Sequence, residues 1–396
     1  MIMKKTSLLG IAILALLPLA VPAQNGPTCT VTVDNTNASC SEIEWIPNYT
    51  ACEHAWVSCL PFNKVSFSDL GIRFAYKNPS GTSNGTVVFF SEGGGETTNS
   101  RDPVGTSKAY AEYYNNATNN YQVVQTAWDS DWEDTGTGNT KNIAYAAGRP
   151  TAFLLWAYNN LFLPSTRKST AGMCAQGASA GGAAVMYALS WYGLYSTIDK
   201  VSLLSSPPLS DIQQGCEVNA GANPLPTAVT VCPTGQLGCN GENTPASWVQ
   251  EPVYSGSALT SVITWTGLSS CQGGQVTDAS DNATWKGMSI VDGTYGTFNF
   301  PKTNITAWLC SGVSSDDGTM NNSSPEAQLF FGQFTNSSQY NGLTINGIPD
   351  CESSEQVGPG TPPDNYQDLG YNTGMAAIEY DMVTDPVNAC VAHNTH

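Results

Sequence analysis

Histidine is nearly missing from this 396-residue chain, which carries only His54, His393 and His396. Any neutral-pH acid–base chemistry that uses an imidazole must fall on one of these three positions. Basic residues are also few, with 14 Lys and Arg against 32 Asp and Glu, for a formal charge of −18. That balance repels phosphate backbones and anionic lipid surfaces, so nucleic acid and membranes drop out as partners. No CxxC pair or HExxH stretch occurs, and the Cys52/Cys59 and Cys232/Cys239 spacings are too wide for ligand pairs. A metal site is therefore not expected. Beyond residue 23 there is no second long apolar run, no heptad pattern and no internal repeat. This excludes a further membrane span, a coiled coil and a repeat architecture.

What is present points to a large folded domain: 41% hydrophobic residues, with 10 Trp, 17 Tyr and 12 Phe, provide for a sizeable core. The first 23 residues combine Lys4 and Lys5, an apolar run from Leu8 to Leu19, and the small residues Val21 and Ala23 before Gln24. They read as a secretory signal peptide, and the apolar run is short for a membrane anchor. All 12 Cys lie beyond that cut, and an even number in a secreted chain argues for disulfides. Sequons at Asn37, Asn48, Asn84 and Asn304 are candidate glycan acceptors.

Residues 24–64 hold four Cys and little periodicity, which predicts a disulfide-pinned wrap. Short apolar runs follow at Thr86–Ser91, Tyr121–Trp128, Ala171–Gln176, Asp199–Ser206 and Ile305–Ser311, and these read as strands. Helical patterns lie between them, over Asn142–Phe162 with Pro150 in a first-turn position, and over Ala180–Tyr192. The alternation predicts an α/β fold with a mostly parallel central sheet covered by helices on both faces. Residues 207–252, rich in Pro, Gly and Cys, are expected to be an inserted lid. The whole of 24–396 is read as one domain.

Gly177-Ala178-Ser179-Ala180-Gly181 matches G-x-S-x-G between an expected strand and an expected helix. In that context the serine stands on a sharp turn at a helix amino terminus, where developing negative charge is favoured. A small-residue helix face packing on the sheet would produce the same letters. A nucleophilic serine needs a base, an orienting acid and oxyanion donors. His54 lies in the Cys-rich amino-terminal segment and His396 is the terminal residue, where fraying is expected. His393 follows Cys390, which could anchor the tail, and is the candidate base. The loop after the Ile305–Ser311 strand supplies Asp316 and Asp317 as candidate acids, with Asp292 a weaker substitute. Gly93-Gly94-Gly95 ends an earlier strand, which makes Gly94 and Gly95 candidate oxyanion donors together with the N–H of Ala180. Trp128, Asp129, Asp131 and Trp132 follow the next strand, as a candidate aromatic platform for a sugar ring or simply a packed surface turn.

Glu92–Gly95, Ser179–Gly182 and the Cys390–His393 ending resemble the pectin acetylesterase and Notum family of α/β-hydrolases. The likeness spans roughly residues 86–393, through short motifs. It implies a secreted carboxylesterase that removes acyl groups without a cofactor, with Ser179 as nucleophile, His393 as base, and Gly94, Gly95 and Ala180 as oxyanion donors. Family members place a Gln three residues after the acid, and Met320 holds that place relative to Asp317. The resemblance therefore favours Asp317 over Asp316, although the Gln itself is missing. The family's Trp-Cys after the glycines is Glu96-Thr97 here, and its Cys-containing loop is "AWDSDWED".

Together these features lead to the expectation of a secreted serine carboxylesterase acting on an acylated polysaccharide. Loss of Lys4 and Lys5 takes the side-chain charge to −20, which suits a neutral glycan better than a polyanionic one. A lipase or polyester hydrolase on the same triad, and a non-catalytic extracellular binding protein that keeps the fold, are the alternatives.

Overall fold

The computed structural model describes residues 26–35, 45–90, 108, 110–137, 141–204, 209–216, 256–272, 275–291, 296–310, 343–348, 374–385, 389–394 and 396. Its framework is a nine-stranded sheet. In chain order the strands are β1 (Cys29–Val33), β2 (Ala51–Cys59), β3 (Leu70–Lys77), β4 (Ser83–Phe90), β5 (Gln122–Trp128), β6 (Arg167–Ala178), β7 (Lys200–Leu204), β8 (Asn304–Cys310) and β9 (Leu343–Ile348). Their spatial order is β1-β2-β3-β5-β4-β6-β7-β8-β9. The pairs from β5 through β9 are all parallel, and β1, β2 and β3 continue the sheet in antiparallel pairs.

All five strands expected from apolar runs are present, as β4 to β8. Their continuous hydrophobicity has a direct cause, since successive residues enter two cores on opposite faces. In β4, Val88 and Phe90 join one core while Val87 and Phe89 join the other. In β5, Val124 and Val123 divide the same way. The first core is covered by α1 (Gly148–Ala157) and α2 (Ala180–Ser190). The second is covered by Tyr110, Ala111 and Tyr114 and by Ile378 and Met382 of α4 (Gly374–Val383), with α3 (Gly256–Thr266) lying between α2 and α4 in the chain. Every residue of α2 is buried, so its lack of a polar face reflects enclosure between the sheet and α1. Pro150 stands in the first turn of α1, where its missing N–H leaves no helical bond unmade.

The amino-terminal segment differs from the expected wrap. It supplies β1 and β2, which are pinned by the Cys29–Cys59 disulfide. Its strands were hard to recognise because β1 shows only a half-buried alternation and β2 carries polar residues at both ends. The Cys174–Cys390 disulfide ties the carboxy-terminal tail to the middle of β6, and Cys216–Cys271 links the Pro-rich segment to the chain that follows α3. The greater part of residues 207–252, expected to be an inserted lid, lies outside the described residues, as do the amino-terminal 25 residues. No helix among the described residues is long and apolar enough to cross a membrane. Asn304, read as a sequon, is buried in β8 and donates to His393, so its side chain is not presented as a glycan acceptor.

Candidate active site

Ser179 occupies the turn between β6 and α2, with φ 46° and ψ −123°. A non-glycine residue in that region is strained, and it persists only where its surroundings hold it. Here they do. The Ser179 N–H donates to the carbonyl of Leu204 at the end of β7 (3.0 Å), and the Ser179 carbonyl accepts from Gly182 and Ala183 (2.9 and 3.2 Å). Gly177 explains the small-residue spacing: a Cβ there would lie 2.6 Å from the Gly181 carbonyl oxygen and from Cα of Gly182. Gly177 therefore has no room for a side chain where the chain turns back over it into α2. The N–H of Ala180, at the first position of α2, has no intrahelical acceptor, and it stands at the positive end of a helix of eleven residues. This is a nucleophile-elbow geometry at the carboxyl edge of a mostly parallel sheet.

The structure does not bring the expected base to this serine. Val391 bridges to Ala171, eight positions before Ser179 along β6, and at roughly 3.3 Å per residue the two ends of that stretch are about 25 Å apart. His393 therefore stands at the amino edge of the sheet, not the carboxyl edge. Its Nε2 accepts from Asn304 Nδ2 (3.0 Å) and its backbone N–H donates to Asp199 Oδ1 (2.8 Å). Burial pushes the imidazole pKa below its ordinary value; the nearby Asp199 opposes this and Lys200 adds to it. The assignment of His393 as base is corrected on these grounds: the disulfide at Cys390 does anchor the tail, but to the wrong end of β6.

The other histidines are also placed elsewhere. His396 is not a frayed terminus. Its ring packs on Phe162 and Tyr158, and its Nε2 donates to Asp199 Oδ2 at 2.6 Å. Asp199 also accepts from the N–H groups of Met173 and Asn394 (2.8 and 2.7 Å) and is fully buried. It is the tail's anchor, and nothing in the sequence marked it beyond a charge at the start of an apolar run. His54 lies on β2, four strand positions from β6, which at roughly 4.8 Å each is about 19 Å. Its Nε2 donates to Asp129 Oδ2 (3.1 Å), whose other oxygen accepts from Arg73 Nε (3.0 Å).

The aromatic platform is also corrected. Trp128 and Trp132 are 4% and 1% exposed and belong to the first core, where Trp132 meets Tyr187 of α2 edge-on. Asp129 is engaged by His54 and Arg73, and Asp131 Oδ2 accepts from Trp265 Nε1 of α3 (2.7 Å). The loop is a packed turn, because the β5 positions leading into it point into the core and carry its rings with them. Gly94, Gly95, Asp316, Asp317 and Asp292 lie outside the described residues. Among the described residues no cluster of His, Cys, Asp and Glu could hold a metal ion.

The strand order and the elbow agree. The fold is that of an α/β-hydrolase. Similar solved structures include carboxyl esterase 2 from the mycorrhizal fungus Tuber melanosporum, 12% identical over 85% of this chain and 87% of that one, with a TM-score of 0.42. A bacterial heroin esterase is 12% identical over 83% of each chain, with a TM-score of 0.42. An esterase of Pyrobaculum calidifontis is 12% identical over 84% and 83%, with a TM-score of 0.41. No protein-family model and no curated protein sequence matches the chain. The resemblance to pectin acetylesterase and Notum accordingly rests on its short motifs alone.

Proposed function

We propose that this chain is a secreted serine carboxylesterase in which Ser179 attacks the ester carbonyl. The observation that carries the reading is the Ser179 backbone, φ 46° and ψ −123°. Such a conformation costs roughly 1–3 kcal/mol in a non-glycine residue. Glycine would relieve that strain, so a serine kept there argues for the use of its hydroxyl. The oxyanion accepts from the N–H of Ala180 and from those of Gly94 and Gly95. The alcohol leaves, water attacks the acyl-enzyme, and Ser179 is restored. With no imidazole beside it, we propose that the carboxylate expected from the sequence as the orienting acid, Asp317 with Asp316 as the alternative, instead takes the proton. A carboxylate is ionised near neutrality and so available to accept that proton. The substrate proposed is an acetylated neutral polysaccharide, in keeping with the chain's −18 charge.

Acetate release from acetylated xylan and acetylated pectin, with a series of aryl esters of increasing chain length, tests the reading. The expected result is release from the neutral polymer, preference for acetyl over long chains, and loss of both in Ser179→Ala. Preference for long chains would point instead to a lipase or polyester hydrolase. A second reading is favoured by one specific observation, the position of all three histidines away from Ser179: a non-catalytic extracellular binding protein that retains the hydrolase fold. It predicts no acyl release from any of these substrates.

A further inference from the structure

At the edge of the sheet opposite Ser179, a cleft of about 400 Å³ opens between the end of β3, the start of β5 and the approach to β6. Its polar lining is Tyr76, Asn78, Gln122, Asn160, Ser165 and Thr166, and none of the residues that line it is charged. The amides are held in fixed orientations. Gln122 is buried; its Nε2 donates to Asn78 Oδ1 and its Oε1 accepts from Thr86 Oγ1, both at 2.7 Å. Asn160 Nδ2 donates to the Trp156 carbonyl at 2.9 Å. Each of these bonds uses one end of an amide. Asn78 Nδ2 and Asn160 Oδ1 have no protein partner among the described residues, and neither has the Tyr76 hydroxyl.

Burial and the nearby Glu53 raise the Tyr76 pKa, so its hydroxyl stays a donor. The adjacent cations are directed elsewhere: Lys77 Nζ donates to the Pro47 carbonyl (2.8 Å), and the Arg167 guanidinium sits over the Phe162 ring (4.5 Å). A donor amide, an acceptor amide, hydroxyls and one aromatic ring, with no charge, match the alternating hydroxyls and apolar faces of a neutral sugar. An anionic ligand would find neither a cation in the cleft nor a favourable field from a chain of −18. We propose that this cleft binds a neutral oligosaccharide segment, independently of the chemistry at Ser179.

The test is titration calorimetry on the full secreted chain with xylohexaose, cellohexaose, mannohexaose and trigalacturonate. It is repeated with Asn160→Ala, with Asn160→Trp to fill the cleft, and with Ser179→Ala. The expected result is binding of at least one neutral hexaose with a dissociation constant of about 1 mM or tighter. Asn160→Ala should weaken it at least tenfold and Asn160→Trp should abolish it, with the Tm of both variants unchanged. Ser179→Ala should bind as well as the parent, so failure at this cleft is distinguishable from failure of the esterase reading. Absence of binding to every neutral hexaose, tighter binding of trigalacturonate, or binding unaffected by both Asn160 substitutions would overturn the proposal.

Discussion

At the scale of single residues, the elbow depends on Gly177 more than on the serine that follows it. Gly177→Ala puts a Cβ 2.6 Å from backbone atoms of Gly181 and Gly182, and backbone cannot yield as a flexible side chain can. The expected cost is about 2–3 kcal/mol, read as a lower urea midpoint together with loss of activity. His393→Ala should leave kcat and its pH profile unchanged, with no inflection near the ordinary imidazole pKa, because Nε2 of His393 is engaged by Asn304 at the far edge of the sheet. An abolished kcat in a stably folded His393→Ala would restore that residue as base. The G-x-S-x-G spacing was legible because it is local, and one turn holds all five residues. The location of His393 was not legible, since it depends on the disulfide between Cys390 and Cys174, 216 residues apart, and on a buried carboxylate at Asp199, 194 residues before it.

At the scale of elements, the tail and α4 carry buried charges whose energetics can be tested. Asp199 accepts from Met173, His393, Asn394 and His396. Asp199→Ala leaves those donors buried without a partner, with an expected loss of about 3 kcal/mol and earlier proteolysis of the tail after Cys390. On α4, burial raises the Glu379 pKa to about 7 from 4.5. A carboxyl raised in the folded state favours folding below the unfolded pKa, and that contribution is lost as pH rises through about 7. Glu133, in the turn after β5, is raised well above its usual range by burial and acts with the same sign. Stability should therefore fall between pH 4.5 and about 7. Glu379→Gln should flatten that slope by roughly 1–2 kcal/mol, allowing for solvent screening, as read from urea midpoints across the range.

At the scale of the whole molecule, the parallel strands β4 to β8 were readable, whereas the parallel β9 and the antiparallel β1 to β3 were not. The strands β4, β5 and β7, with Ala171–Ala178 of β6 and Asn304–Ala307 of β8, are buried and appear as largely continuous apolar runs, whereas β1 and β2 mix polar and apolar positions and their cysteines drew attention to crosslinking. The Trp128 and Trp132 rings were open to both readings for a related reason, because a loop adjoining a core strand can turn its aromatics inward as easily as outward. The sheet sets one serine at its carboxyl edge and all three histidines away from it, so the central claim is that the strained Ser179 is nevertheless reactive. The most direct measurement is labelling of the native protein with a fluorophosphonate probe, located by peptide mass spectrometry, beside Ser179→Ala and His393→Ala. The account predicts stoichiometric modification at Ser179 in the parent and in His393→Ala, and none in Ser179→Ala. A natively folded parent that takes up no label would contradict it and leave the non-catalytic reading in its place.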